Sequence, residues 1–325
     1  MRVRDRVVVV TGASSGIGRA TAEAFARKGC AVVLAARRPE ALAEAARDCE
    51  RHRGARVLAV PTDVTDAAAV ESLAEQAVER FGRLDVWVNA AAVAVFGPFR
   101  EIPLQDFRKV LDVNVMGYVH GARAALRVMR EQGHGTLIDV SSIVGVVSQP
   151  YNHAYGMSKH AVRALDTSLR QELRLEGAKD IHVCTVLPAT IDTPFFEHAA
   201  NYTGRKVVAM PPVYSPERVA RTIVDLVRRP RREVVAGPMG RSLVMQSRMA
   251  PGLTERLMGR QVDKAHLSRE EPAPANQGNL HVPAPGTGAA HGGWGGRRRT
   301  ALRRLATTAA LAGITVGARR LIREP

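Results

Sequence analysis

At 325 residues, 46% of them apolar, the chain can bury a substantial core, which sets it apart from a disordered or fibrous protein. Its cysteines, Cys30, Cys49 and Cys184, show no metal-ligand spacing, so no metal is expected, and Cys30 and Cys184 read as buried free thiols. The net charge of +16 comes without any nucleic-acid motif, so nucleic acid is not an expected partner.

In chain order, Val7 to Val10 is a continuous β-branched run, the pattern of a strand buried on both faces of a parallel sheet. The turn Thr11-Gly12-Ala13-Ser14-Ser15-Gly16-Ile17-Gly18 follows, then a helical pattern from Arg19 to Lys28, with Gly29 as its stop, then a second strand, Ala31 to Ala35. Strand, glycine-rich turn, helix and strand within about 30 residues is the context that a dinucleotide fingerprint requires. The glycines let the backbone approach a pyrophosphate, and the helix N-terminus supplies N–H groups and a positive dipole end. Gly12, Ser14, Ser15, Gly16, Ile17 and Gly18 are therefore candidate cofactor contacts.

The second strand ends Ala35-Ala36-Arg37-Arg38, without the acidic residue that an NAD site places against the ribose hydroxyls. An arginine there can grip a 2′-phosphate through charge-assisted hydrogen bonds of about 1.5–3 kcal/mol each. NADP is thus the expected cofactor and NAD the less favoured one; the alternative is that Arg37 and Arg38 are solvated charges on a basic protein. Further strands are expected at Val57–Val60, Val86–Asn89, Thr136–Ser141, His182–Leu187 and Glu233–Ala236, and helices between them, for example over Ala67–Phe81 and Ala154–Glu176. This alternation predicts an α/β protein with a doubly wound parallel sheet, a Rossmann fold, over residues 1–250.

Tyr155 and Lys159 lie four apart and so share a helix face, and Ser141-Ser142 closes an apolar stretch upstream. Free tyrosine titrates near about 10, and a neighbouring cation can lower that by roughly 1–3 units. A tyrosine so tuned can exchange a proton with a carbonyl oxygen. Taken alone, Tyr-x-x-x-Lys is an ordinary helix surface; its company gives it meaning.

With these residues in hand, the chain resembles the short-chain dehydrogenase/reductase family from about Arg4 to about Gly240. Thr11 to Gly18 matches the family's glycine motif, and Asp63-Val64 its adenine contact. Val88-Asn89-Ala90-Ala91 stands where the family usually has Asn-Asn-Ala-Gly, making Asn89 and Ala90 cofactor candidates. Pro188 to Thr193 matches a Pro-Gly-x-x-x-Thr segment beside the nicotinamide, with Ala189 in place of glycine. The resemblance implies that Tyr155 exchanges the proton, Lys159 lowers its pKa and holds the nicotinamide ribose, Ser142 orients the carbonyl, and Asn114 keeps a water in a relay behind Lys159. Tyr155, Lys159, Pro188 and Thr193 are then cofactor contacts as well. Bland alternatives exist: Ser142 could cap a turn and Asn114 could satisfy buried backbone.

The expected activity is NADP-dependent hydride transfer between nicotinamide and a carbonyl or alcohol. The rival reading is a non-catalytic NADP(H) sensor or scaffold. The resemblance also suggests a homodimer or homotetramer. Aromatic and apolar residues after Thr193, namely Phe195, Phe196, Tyr202, Met210 and Tyr214, point to a lipophilic substrate under a lid, or simply to lid packing. Residues 251–296 are expected to be an irregular Pro/Gly-rich extension. From Arg297 onward eight arginines stand against one glutamate around an Ala/Leu-rich run, read as a helix contacting a membrane surface or a partner. With the glycine motif beginning almost at once, no signal peptide is read and a cytoplasmic setting is expected.

Overall fold

The computed structural model describes residues 3–284 and 288–295. The expected helix over residues 297–325 lies outside the described residues. Seven parallel strands form the central sheet: β1 Val7–Thr11, β2 Ala31–Ala36, β3 Arg56–Pro61, β4 Val86–Asn89, β5 Gly135–Val140, β6 Ile181–Pro188 and β7 Glu233–Ala236. Their order is β7-β6-β5-β4-β1-β2-β3, all neighbours parallel. The order reverses between β1 and β4, which opens a crevice beyond their carboxyl ends.

Continuous apolar runs make this sheet because helices cover both faces. Successive residues point to opposite sides. Val9, Val33, Trp87 and Leu137 enter one core, while Val8, Val10, Val32, Leu34, Val86, Val88 and Ile138 enter the other. The first core is covered by α3 (Ala67–Phe81), α5 (Gly117–Gln132) and α6 (His153–Leu175), and the second by α1 (Gly16–Ala26), α2 (Pro39–Glu50) and α7 (Pro216–Arg228). Helix α4 (Leu104–Leu111) runs into α5 through a π-helical turn, Asp112–Met116. All three cysteines are free and buried, and burial pushes their thiols up, Cys30 and Cys184 to about 11 and Cys49 to about 12.

Residues 251–272 correct the expected irregular extension. Pro251–Ala265 is a helix, α9, following α8 (Pro238–Met249), and Leu267–Pro272 is a strand antiparallel to Arg205–Val207. Thr254, Met258 and Val262 recur every four residues and form the buried stripe of α9; Met258 and Val262 pack against Val147. That stripe is short and includes polar Thr254, while Leu253 and Leu257 are exposed, so the apolar pattern alone hides it. No helix among the described residues is long and apolar enough to cross a membrane.

Candidate active site

The crevice between β1 and β4 opens into one cavity of about 250 Å³. Gly12, Ser14, Ser15, Gly16, Ile17 and Gly18 line it, with Arg37, Arg38, Asp63, Val64, Ala90, Ser142, Tyr155, Lys159, Pro188 and Thr193. Residues expected on sequence grounds as cofactor contacts and as proton-transfer groups therefore meet in one space. Gly12 adopts φ +67°, and a Cβ there would meet the Ala91 backbone at 2.8 Å. A Cβ on Gly18 would overlap the Gly12 carbonyl. The turn thus comes closer to its neighbours than any other residue allows. Thr11 Oγ1 accepts from the N–H of Ala90 at 3.1 Å, tying the turn to the end of β4. These glycines and the α1 N-terminus form a backbone cradle that fits a dinucleotide pyrophosphate.

At the end of β2, Arg37 is partly buried and donates to the carbonyls of Asn279 and Leu280, while Arg38 donates to that of Ala284. Burial lowers the Arg37 pKa, and Asp63 opposes that shift. Burial also opposes the charge of Asp63, but bonds from the Thr65 N–H (2.9 Å) and hydroxyl (2.8 Å) outweigh it, and its pKa is lowered. Asn89 does not reach the cavity. Its amide donates to Asp139 at 2.9 Å and its oxygen accepts from Trp87 Nε1 at 2.7 Å, so its side chain braces the sheet beneath the groove.

Tyr155 and Lys159 lie in the first turns of α6, and Ser142 follows β5. Tyr155 is hydrogen-bonded to Ser142, whose Oγ also accepts from the Val144 N–H at 3.2 Å. Lys159 is almost wholly buried, and its Nζ donates to Val140 O (2.9 Å) and Tyr118 Oη (3.1 Å). The ammonium lies 5.5 Å from the centre of the Tyr155 ring. Ser141 Oγ donates to the Lys159 carbonyl at 2.8 Å, fixing α6 against β5. The expected lowering of the Tyr155 pKa is not what these side chains produce. Burial pushes Tyr155 up to about 12 against the Ser142 bond, and pushes Lys159 down to about 7 against the pull of Asp139. A cation that is itself buried and turned onto Val140 and Tyr118 does not hold the phenolate.

Asn114 sits in the π-helical turn, behind the cavity rather than in it. Its side chain accepts from the Val93 N–H and donates to Val93 O and to Ser158 Oγ, joining the loop after β4 to α6. π-turns inside helices are frequent at functional sites.

Sequence reasoning missed Tyr118, Asp139, Asp166 and His266. Tyr118 donates to Val140 O at 2.9 Å and shares that carbonyl with Lys159; its spacing of four from Asn114 was the available signal. Asp139 and Asp166 are fully buried and act on each other electrostatically. Asp139 Oδ1 accepts from Asn89 and Asp166 Oδ2 from the Thr185 hydroxyl, while Asp139 Oδ2 and Asp166 Oδ1 have no hydrogen-bond partner. Burial raises both pKa values. No spacing rule joins positions on β5 and α6.

Above Tyr155 an aromatic chamber continues the cavity. Phe195 lies 5.3 Å from Tyr155 between ring centres, Phe196 lies 5.4 Å from His266, and Phe96 lies 5.2 Å from His266. Met210, Gln149 and Asn152 complete its walls. Tyr202 and Tyr214 do not join it: Tyr202 donates to buried Asp106, and Tyr214 Oη accepts from the Met239 N–H. Burial lowers the His266 pKa, and the ring bonds Val208 O through Nδ1.

The family model described as short chain dehydrogenase matches residues 6–202. The uncharacterized oxidoreductase YxnA of Bacillus subtilis is 38% identical over 259 residues, 79% of this chain and 72% of the relative. Dehydrogenase/reductase SDR family member 7B of Bos taurus is 32% identical over 82% of this chain and 84% of the relative. Among solved structures, a short chain dehydrogenase/reductase from Burkholderia phymatum in complex with NAD aligns with a TM-score of 0.69 at 28% identity, covering 78% of this chain and 97% of that one. An alcohol dehydrogenase from Thermococcus sibiricus complexed with 5-hydroxy-NADP aligns with a TM-score of 0.62 at 29% identity, covering 71% and 96%. With its sheet order, glycine cradle and Ser142-Tyr155-Lys159 cluster in place, the chain belongs to the short-chain dehydrogenase/reductase family and is an NAD(P)-dependent oxidoreductase.

Proposed function

We propose that the protein prefers NADP and acts on a lipophilic carbonyl or alcohol. The observation that carries the cofactor preference is the end of β2, where Arg37 and Arg38 face the cavity and no carboxylate stands in the position that reads ribose hydroxyls. The substrate reading rests on the chamber of Phe96, Phe195, Phe196 and Met210 directly above Tyr155.

The bound nicotinamide supplies or takes the hydride. The residues do the rest. Ser142 Oγ, already fixed by the Val144 N–H, hydrogen-bonds the carbonyl oxygen and aims it at Tyr155. Tyr155 Oη gives its proton to that oxygen during reduction and takes it back during oxidation. With a phenol held near 12, Tyr155 is protonated at neutral pH and is suited to donate. Lys159 holds the nicotinamide ribose and, once turned from Val140 towards it, places its charge beside the phenolate. Phe195 and Phe196 exclude water from the reacting carbon. Tyr155→Phe is expected to lower kcat by about 10²–10⁴-fold while nucleotide affinity is retained. Near-normal turnover of the Phe variant on a ketone panel contradicts the role given to Tyr155.

A homo-oligomer is the proposed assembly. Exposed apolar side chains on the α4–α6 side of the molecule, Phe99, Leu104, Met116 and Met157, support it.

A further inference from the structure

His266 stands in the aromatic chamber above Tyr155, at a position beyond residues 6–202 that the family model matches. It joins α9 to the strand Leu267–Pro272 and is held at three points. Its N–H donates to Val262 O at 3.0 Å, its carbonyl accepts from the Val208 N–H at 2.9 Å, and its ring Nδ1 bonds Val208 O. Phe96 and Phe196 make T-shaped contacts with the same ring, their planes turned 78° and 73° from it. The residue is only 4% exposed, so packing fixes the ring plane.

These contacts decide what the ring presents. A carbonyl oxygen has no proton to give, so Nδ1 carries the proton in its bond to Val208. Burial lowers the His266 pKa from its usual 6.5 and favours the neutral ring. A neutral imidazole protonated at Nδ1 offers a lone pair at Nε2. Among the described residues nothing donates to that nitrogen. Asn152 Oδ1, in the same walls, also lacks a partner but is closed off by its neighbours; His266 Nε2 is not closed off in that way. An acceptor held between phenyl rings without a donor is costly, and a ligand that brings a donor removes the cost.

The walls also set how far this acceptor lies from the chemistry. Ring centres step from Tyr155 to Phe195 by 5.3 Å, to Phe196 by 5.4 Å and to His266 by 5.4 Å, so His266 lies within about 16 Å of the Tyr155 ring. The surface between them is apolar, formed by Phe195 and Phe196.

We propose that His266 Nε2 is a second recognition point for the substrate, accepting a hydrogen bond from a hydroxyl or N–H group remote from the reacting carbonyl. The chamber then takes lipophilic carbonyl compounds that carry a donor on the far part of the apolar body, and in oxidation the matching alcohols. The assignment rests on the lipophilic-carbonyl reading above and adds to it a donor that the substrate must carry.

The test uses straight-chain methyl ketones of graded length, each ending in a methyl, a hydroxyl or a methoxy group. The hydroxyl can donate, the methoxy oxygen can only accept, and the methyl does neither. At the length that reaches His266, the full-length parent is expected to show kcat/KM about tenfold or more higher for the hydroxy ketone than for the other two, because a buried acceptor left unpaired penalises an analogue without the donor. His266→Phe keeps a ring between Phe96 and Phe196 but removes Nε2, and His266→Leu is the second variant. Both are expected to bring that ratio within about twofold of unity. Reading the ratio cancels any general loss of activity, which a merely structural role would produce. A hydroxy ketone no better than its partners at every length overturns the recognition point and leaves the lipophilic-carbonyl reading intact. An advantage shared by the methoxy ketone, or one that survives in either variant, overturns it in the same way. Failure of both variants to fold also overturns it, making His266 a residue of structure alone. No turnover of any ketone by the parent overturns the lipophilic-carbonyl reading and the recognition point together.

Discussion

Lys159 carries the sharpest conflict at the residue scale. Its ammonium is enclosed by Tyr118, Tyr155 and Val140, and burial brings its pKa from the usual 10.5 to about 7. In the folded protein it sheds its proton near pH 7, whereas the unfolded chain keeps that proton up to about pH 10.5. The unfolded state therefore binds more protons across this window, and the Lys159 contribution to stability falls as pH drops from about 10.5 to about 7. Lys159→Met is expected to stabilise the nucleotide-free protein at pH 8 by roughly 1–3 kcal/mol and to flatten this slope, while abolishing turnover. Urea melts at several pH values check it; a less stable Met variant at every pH contradicts it. That Tyr155, Lys159 and Ser142 meet in one cavity was legible in the sequence because each lies in a spacing or a motif. The direction of the Tyr155 shift was not, because it depends on how much of the phenol is enclosed, and no local pattern records that. Asn89 shows the same limit: its place in a motif suggested a cofactor contact, but Trp87 and Asp139 take its amide.

At the scale of elements, the strands were readable because parallel strands covered on both faces are continuous apolar runs. Observed and expected bounds agree closely, as at Val86–Asn89 and Glu233–Ala236. Helix α3 is equally plain, with Asp66 capping its start by accepting from Ala68 and Ala69 and Gly82 closing it at φ +79°. The π-helical turn at Asp112–Met116 and the short strand pair Arg205–Val207 with Leu267–Pro272 were not legible. Both are made by tertiary contacts between segments distant in sequence. The stretch after Pro272 is Pro- and Gly-rich and reads as a linker, yet Leu280 is wholly buried with Val93, Val95 and other core residues. Leu280→Ala is expected to destabilise the protein by about 2–5 kcal/mol, as for other core leucines. Thermal or denaturant unfolding measures it; a loss below about 0.5 kcal/mol shows that the segment is not docked.

Across the whole molecule, the fold places its chemistry at the one edge where strand order reverses. The glycine cradle comes from β1 and α1, the arginines from β2, the serine from β5, the tyrosine and lysine from α6, and Thr193 from the loop after β6. Each could be assigned from sequence because the alternation of strand and helix dictates that all these loops emerge at the same end of the sheet. The aromatic chamber was only half legible: Phe195 and Phe196 join it, Tyr202 and Tyr214 turn away, and His266 enters from a segment read as irregular. The Phe99-Leu104-Met116-Met157 side leaves the monomer with apolar surface, and light scattering coupled to size exclusion is expected to give a dimer or tetramer; a monomer at micromolar concentration contradicts that assembly.

Arg37 and Arg38 are the proposed grip of the groove on a phosphorylated nicotinamide dinucleotide. Equilibrium titration of the parent and the Arg37→Ala/Arg38→Ala variant with NADPH and NADH, read by nucleotide fluorescence, tests it most directly. The parent is expected to bind NADPH at least about tenfold more tightly than NADH, and the variant to lose about 10–100-fold for NADPH with little change for NADH. Equal affinities in the parent, or equal losses for both nucleotides in the variant, would contradict it.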